Sequence, residues 1–361
     1  MERRDGGRHP RGAAHRPGVL RVPEAVRVRN ADGLGQVIGR SVLEPSGLSL
    51  SRLALGAAPL GSLSSTTAQG VVAAAVDAGM TYVDTAPMYG AGRSETSVGA
   101  AVAGRDGVVV STKAGRLVAP SGQAPKSGDA GWAGAPRLVW DMTATGMRRS
   151  LEESLRRLDR DHIELLYLHD PDDHEVEATE QALPELVRMR AAGLVRAIGV
   201  GMNGGAMPAR LVDRFDLDAV LLAGRYTLLD QGGLHDVLPA CEQRGVAVVL
   251  GGVFNSGVLA DPRKSAVTYD NRPASAWIVE RARAAAALAE RHGVTLRALA
   301  LQFAAAHPAV RSVLVGAAST AEVADAVAAF TTDVPDDAWL ELRSAGFLDE
   351  AAPVPAGGRA E

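Results

Sequence analysis

The sequence predicts an α/β fold, a parallel (β/α)8 barrel, and three observations predict it. Short apolar runs and helix-forming stretches alternate eight times between Leu53 and Phe330. The runs are continuous Val, Leu and Ile, as expected of strands buried on both faces. The turn after the first run reads GAAPLG at 56–61, not the G-x-G-x-x-G that an open dinucleotide-binding sheet places there. The 361 residues fit one such barrel, and 47% hydrophobic content supplies a large core. Aromatic residues are only 4%, so that core is expected to be Ala, Val and Leu.

Each element has a local justification. Residues 1–38 are rich in Arg, Gly and Pro without periodicity, which predicts a disordered or loosely attached extension. SVLEPSGLSL at 41–50 places two extended pieces around Pro-Ser-Gly, a hairpin signal. Strands are predicted at Leu53–Gly56, Thr81–Asp84, Val108–Lys113, Ile163–Leu168, Val195–Val200, Ala219–Leu222, Val246–Leu250 and Ser312–Val315. Helices are predicted at Ala68–Ala78, Ser94–Ala103, Thr145–Leu158, Thr179–Ala192, Ala206–Phe215, Leu234–Arg244, Ser275–His292, Thr295–Ala306 and Thr320–Phe330. Several of these meet a glycine just past their end, as helix C-termini favour. Ala114–Asp141 is a long Gly/Pro/Ser-rich insert after the third strand, of the length that usually carries function. The expected organisation is an extension over 1–38, a barrel over 39–335 and a C-terminal tail over 336–361.

Composition narrows the function classes. A net charge of −4 gives no reason to expect nucleic acid or a membrane surface as partner, and no apolar run is long enough to span a bilayer. A single cysteine, Cys241, excludes an internal disulfide and fits a reducing compartment, so a cytoplasmic location is expected. Oligomeric state is open.

The chemistry concentrates in TYVDTAPMYGAGRSETSVGAAVAGRDGVVVSTK at 81–113. If its two apolar runs are neighbouring parallel strands, Asp84 and Lys113 emerge at one end of the sheet with Tyr89 on the loop above. A phenol near its usual pKa of about 10 exchanges protons poorly at neutral pH, and an adjacent ammonium favours the phenolate. A carboxylate in turn holds the lysine. The chain uses arginine almost everywhere and has only Lys113, Lys126 and Lys264. A lysine at this strand end points to a place where a compact ammonium fits and a guanidinium does not. The competing reading is a structural Asp84–Lys113 ion pair with Tyr89 as a surface turn residue. His169 follows the fourth strand in HDPDDH and is suited to hydrogen-bond a substrate oxygen. Metal binding by His169, Asp170, Asp172 and His174 competes, but Pro171 breaks the regular spacing, and no metal is expected. Asp170 and Asp172 suit polyol hydroxyls or stand as solvated loop carboxylates. GGVFNSG at 251–257 and VGAASTAEV at 315–323 are small-residue turns where barrels bind phosphate.

These motifs, DTAPMYG, STK, LHDPD, GVGMN, GGVFNSG and VLVGA, together resemble the aldo-keto reductase superfamily over about residues 40–330. The resemblance implies a catalytic tetrad of Asp84, Tyr89, Lys113 and His169 and a nicotinamide dinucleotide across the barrel mouth. It implies that Tyr226 stacks on the nicotinamide and Asn203 approaches its carboxamide. Gly251, Val253, Asn255 and Gly257 would cover the pyrophosphate, and Gly316, Ser319 and Thr320 would hold the adenosine end. The stretch RSLEESLRRLDRDHIELLYLHDPD resembles most the branch of L-fucose and D-threo-aldose 1-dehydrogenases, L-galactose dehydrogenase and pyridoxal 4-dehydrogenase, which oxidise a cyclic hemiacetal to a lactone. The adenosine turn has no Arg or Lys to pair with a 2′-phosphate, which favours NAD over NADP. Trp132, Trp140, Asp141 and Asp172 are the candidates for a sugar or carbonyl substrate. Rival readings are an NADP-dependent aldehyde or ketone reductase, a pyridoxal 4-dehydrogenase-like enzyme, and a non-catalytic cofactor-binding regulatory subunit.

Overall fold

Eight parallel strands close on themselves in sequence order, each bonded to the next and the last to the first. The structure, a computed structural model, describes residues 38–118 and 138–355. The barrel strands are β1 (Leu53–Gly56), β2 (Tyr82–Asp84), β3 (Val109–Ala114), β4 (Ile163–His169), β5 (Val195–Met202), β6 (Ala219–Ala223), β7 (Ala247–Gly251) and β8 (Val310–Gly316). Their outward side chains meet the surrounding helices in one large core, and their inward side chains form a second. The expected extension over 1–38 lies outside the described residues except for Ile38.

The chain enters through the hairpin Arg40–Leu43 and Leu48–Ser51. Its Leu43, Leu48 and Leu50 pack with the inward Ala54, Val109, Leu165, Ala197, Ala219 and Ala247, so the hairpin plugs the end where the strands begin. Arg52 ties the seam by donating to the carbonyls of Val310 at 2.5 Å and Ala305 at 2.8 Å.

The helices are α1 (Ser65–Asp77), α2 (Arg93–Val102), α3 (Ala144–Leu158), α4 (Leu183–Ala191), α5 (Ala206–Arg214), α6 (Val237–Arg244), α7 (Ala276–Arg291), α8 (Leu296–Ala305), α9 (Thr320–Thr331) and α10 (Asp336–Ser344). Side-chain caps start many of them: Ser64, Thr143, Ser275, Thr295 and Ser319 each accept from a backbone N–H in the first turn. The helix expected over Thr179–Ala192 differs. A short turn at Glu175–Glu177 leads through a wider turn at Ala178–Ala182 into α4. The segment after α9 is built into the body. Trp339 and Leu342 of α10 and Leu348 beyond it are buried in the outer core.

Two additions stand at the C-terminal ends of the strands. The described ends of the insert form an antiparallel ribbon, Arg116–Val118 with Leu138–Trp140, which sets Arg116 opposite Trp140. After β7, the small hairpin Thr268–Tyr269 and Arg272–Pro273 folds back so that Thr268 bridges Gly257. Among the described residues, no helix is long and apolar enough to cross a membrane.

Candidate active site

Asp84 ends β2, and Lys113 lies on β3 two residues beyond Ser111, the partner of Asp84 in the ladder. Side chains two apart share a face, so the sequence delivers an acid and an amine side by side at the inner rim. Both are about 2% exposed. Lys113 Nζ donates to Asp84 Oδ2 at 2.6 Å, to the Thr85 carbonyl at 2.9 Å and to Tyr89 Oη at 3.1 Å. Three acceptors match the three protons of an ammonium. Burial alone works against the charge on Lys113, but Asp84 and Tyr89 more than offset it, and the net shift is upward.

Tyr89 is fixed by backbone contact. Gly61, on the turn after β1, and Gly90 approach so closely that a Cβ on Gly61 would sit 2.4 Å from the Gly90 nitrogen. The Tyr89 phenol is pushed up by burial, pulled down by Lys113 and pushed up by Asp84, with a net rise. The expected lowering by Lys113 is therefore present but outweighed by desolvation around this half-buried ring.

His169 ends β4 and is 5% exposed. Burial, then Lys113 and Arg116, hold it well below the ordinary imidazole value, so it is neutral near pH 7. Its Nε2 lies 3.5 Å from Asp170 Oδ2, while Nδ1 is buried without a partner among the described residues. At 3.5 Å the Nε2 contact is too long for a good hydrogen bond, so Nε2 is left for a substrate oxygen. Its ring meets Tyr89 edge-on with centroids 6.3 Å apart. The four side chains named from the sequence thus share one rim.

The mouth beyond His169 is polar. Arg116 donates to Asp170 Oδ2 at 2.9 Å and lies 4.5 Å over the Trp140 ring, which also contacts His174. Asp170 is raised by burial against the pull of Arg116; Asp172, at the outer edge, is also raised by burial. Arg116 is the residue that motif reading missed; its signal was a charge three positions beyond Lys113 at the root of the insert. Asp141 is a correction. Its Oδ1 accepts from the Thr143 backbone at 3.2 Å and the Thr143 hydroxyl at 2.6 Å, so it shapes the start of α3 instead of facing the mouth. Trp132 lies outside the described residues. Among the described residues, no group of three His, Cys, Asp or Glu side chains gathers as metal ligands.

Next to the strand that carries His169, Asn203 is exposed just past β5. Gly251 ends β7, Gly252 has φ +62°, and a Cβ there would come within 3.2 Å of the Gly224 nitrogen. Val253 and Asn255 are both 2% exposed, so Val253 offers only backbone. Asn255 donates to the Gly224 carbonyl at 3.3 Å and leaves Oδ1 buried without a partner among the described residues. Gly257 and Gly316 carry no side chain, and a Cβ on Gly316 would press on Pro59 at 3.1 Å. Ser319 caps α9, whose first residue is Thr320, and Glu322 accepts from the Ala318 backbone at 2.7 Å. These turns leave smooth backbone where a dinucleotide needs it, and they fit one. Tyr226 does not. It is 1% exposed, with its ring stacked on Phe303 of α8 at 4.9 Å, so neither face is free for a nicotinamide.

The sequence profile of the Aldo/keto reductase family matches residues 52–346. The chain belongs to this family. As an aldo-keto reductase it is an oxidoreductase, and its (β/α)8 barrel is the fold expected. It is similar to the D-threo-aldose 1-dehydrogenase of a Pseudomonas species, 41% identical over 318 residues that cover 84% of this chain and 96% of that one. It is also similar to the pyridoxal 4-dehydrogenase of Microbacterium luteolum, 36% identical over 86% of this chain and 98% of that one. Among solved structures, the glycerol dehydrogenase of Gluconobacter oxydans superposes with a TM-score of 0.71 at 25% identity, covering 88% of this aldo-keto reductase and 97% of that chain.

Proposed function

We propose that this aldo-keto reductase oxidises a cyclic hemiacetal, most simply the ring form of an aldose, to its lactone with NAD. The observation that carries the reading is Lys113 bonded to Asp84 and Tyr89 at once, with the neutral imidazole of His169 on the same rim. A bound nicotinamide would supply the acceptor for the hydride of the anomeric C–H. Tyr89 takes the proton of the anomeric hydroxyl, and the C–O bond becomes the lactone carbonyl. Lys113 stabilises the phenolate that must exist just before, and Asp84 keeps Lys113 charged and aimed. His169 donates to the same substrate oxygen and orients it. In the reverse direction Tyr89 is the acid.

Asp170 and Asp172 favour a hydroxyl-rich substrate. Arg116 fixes Asp170 Oδ2 beside His169, which leaves the other carboxylate oxygen to accept from sugar hydroxyls. The two dehydrogenase relatives support the direction of oxidation. NAD is favoured over NADP by Glu322. Its carboxylate already occupies the start of α9, where the family resemblance sets the adenosine end, and it repels a phosphate dianion.

Tyr89→Phe tests the reading by keeping the ring and removing the proton. Turnover on a panel of aldoses and pyridoxal, followed by absorbance of the reduced cofactor, is expected to fall about 10²–10⁴-fold with cofactor affinity retained. Unchanged turnover would overturn the assignment. Pyridoxal as the sole substrate would keep the chemistry and move the substrate class.

A further inference from the structure

Each of three rim residues stands above a hydroxyl. Two residues back from Asp84, Lys113 and His169 along β2, β3 and β4 lie Tyr82, Ser111 and Tyr167. That step of two keeps the same inward face. All three are fully buried, in a barrel interior that branched apolar side chains normally fill. Room is made for them: Gly199 has no side chain where a Cβ would come within 2.8 Å of the Tyr167 ring.

The hydroxyls form a chain. Tyr167 Oη lies 3.3 Å from Tyr82 Oη, Tyr82 Oη 2.9 Å from Ser111 Oγ, and Ser111 Oγ 2.7 Å from Asp84 Oδ1. The far end fixes its direction. A carboxylate paired with Lys113 only accepts, so Ser111 uses its one proton on Asp84. Tyr82 must then donate to Ser111, and Tyr167 to Tyr82. Bonds aligned this way polarise one another. Three hydroxyls that only satisfied each other would gain little over apolar side chains of the same shape. What distinguishes this set is that it terminates on the acid that holds Lys113.

We propose that Ser111, backed by Tyr82 and Tyr167, is a positioning residue of the reaction. It holds the second oxygen of Asp84 and offsets part of that carboxylate's charge, which otherwise reaches Lys113 and Tyr89 undiminished. This rests on Tyr89 as the proton carrier proposed above. Removing the donor strengthens the negative field at Tyr89 and makes its phenol harder to ionise.

The test reads Tyr89 directly, without substrate. The chain has five tyrosines, so ring-carbon NMR of labelled protein is tractable, with Tyr89→Phe assigning the signal. At a fixed alkaline pH, Ser111→Ala is expected to lower the ionised fraction of Tyr89 about threefold, equivalent to roughly half a pKa unit. Tyr82→Phe, which keeps the ring volume, is expected to lower it less, and Ser111→Thr to restore it. In turnover, kcat falls with KM for the sugar unchanged. A Tyr89 signal unmoved in folded Ser111→Ala overturns the proposal; if that variant does not fold, an unmoved signal in Tyr82→Phe does so. A failed substrate screen would strike the proposed reaction alone and leave this titration readable.

Discussion

Lys113 shows why the rim takes an ammonium. Its three acceptors lie in three directions within 3.1 Å, on Asp84, Thr85 and Tyr89, and a planar guanidinium fork does not reach all three. The same enclosure raises the Tyr89 phenol, which fixes a pH dependence. Oxidation needs the phenolate, whose fraction grows with pH up to the phenol's own pKa, here above the ordinary value of about 10. The expected outcome is kcat/KM for oxidation climbing about tenfold per pH unit from about pH 7 with no plateau below about pH 10. Carbonyl reduction at neutral pH draws on a fully protonated acid. His169, held well below the usual imidazole value, adds no limb near its ordinary value of about 6.5. Initial rates across pH in both directions check this; a plateau near neutrality would mean that Lys113 outweighs burial. Glu322 carries a second residue-level prediction. Glu322→Gln removes one negative charge from the N-terminus of α9, worth about 1 kcal/mol against a phosphate. NADP affinity is expected to rise roughly fivefold while NAD affinity changes little, as fluorescence quenching by each cofactor will show.

At the level of elements, the turn after β1 sets the loop after β2. Gly61 and Gly90 touch backbone to backbone, so the Tyr89 loop has no slack on that side. Gly61→Ala puts a methyl 2.4 Å from the Gly90 nitrogen and must push the loop outward. A displacement of about 1 Å at a reacting group costs on the order of 10²-fold in rate. Turnover is expected to fall by that order and NAD affinity by less, because the added methyl meets the Tyr89 loop while Gly316 rests on Pro59; rates and quenching on one preparation separate the two. The strand ends were legible because apolar runs stop where polar residues begin, at Asp84, Lys113 and His169. What lay off the strands was harder to read. Tyr226 stands three residues past β6, beyond a turn at Gly224, and its ring is claimed by Phe303 some way down the chain, a contact that no local pattern announces. Asp141 was readable as a turn former from the Thr143 cap two residues on, but the expectation of a sugar pocket drew it to the mouth. The hydroxyl layer of Tyr82, Ser111 and Tyr167 needs the inward face of each strand, which continuous apolar runs conceal.

Across the whole molecule, the two ends of the barrel are divided between stability and chemistry. The hairpin leucines close the end where strands begin, and Asp84, Tyr89, Lys113 and His169 stand at the other. Between them lie the inward alanines and the tyrosine pair. Leu50 is fully buried in this plug, and Leu50→Ala leaves a cavity costing about 3 kcal/mol. For a chain of this size the melting midpoint is expected to drop by about 4–5 °C. Well below that midpoint, kcat and KM are expected to stay within about twofold of the parent. The cavity opens beneath Ala54 and Val109, while Asp84 and Lys113 are held by bonds to one another and to the Thr85 backbone. Thermal melts and initial rates on the same variant check both halves. A loss of kcat alongside the stability loss would mean that the plug reaches the rim through the interior, and the column that joins them is Tyr82 and Tyr167. In that case Leu50→Ala should also lower the ionised fraction of Tyr89, because tyrosines that settle into the cavity no longer support Ser111.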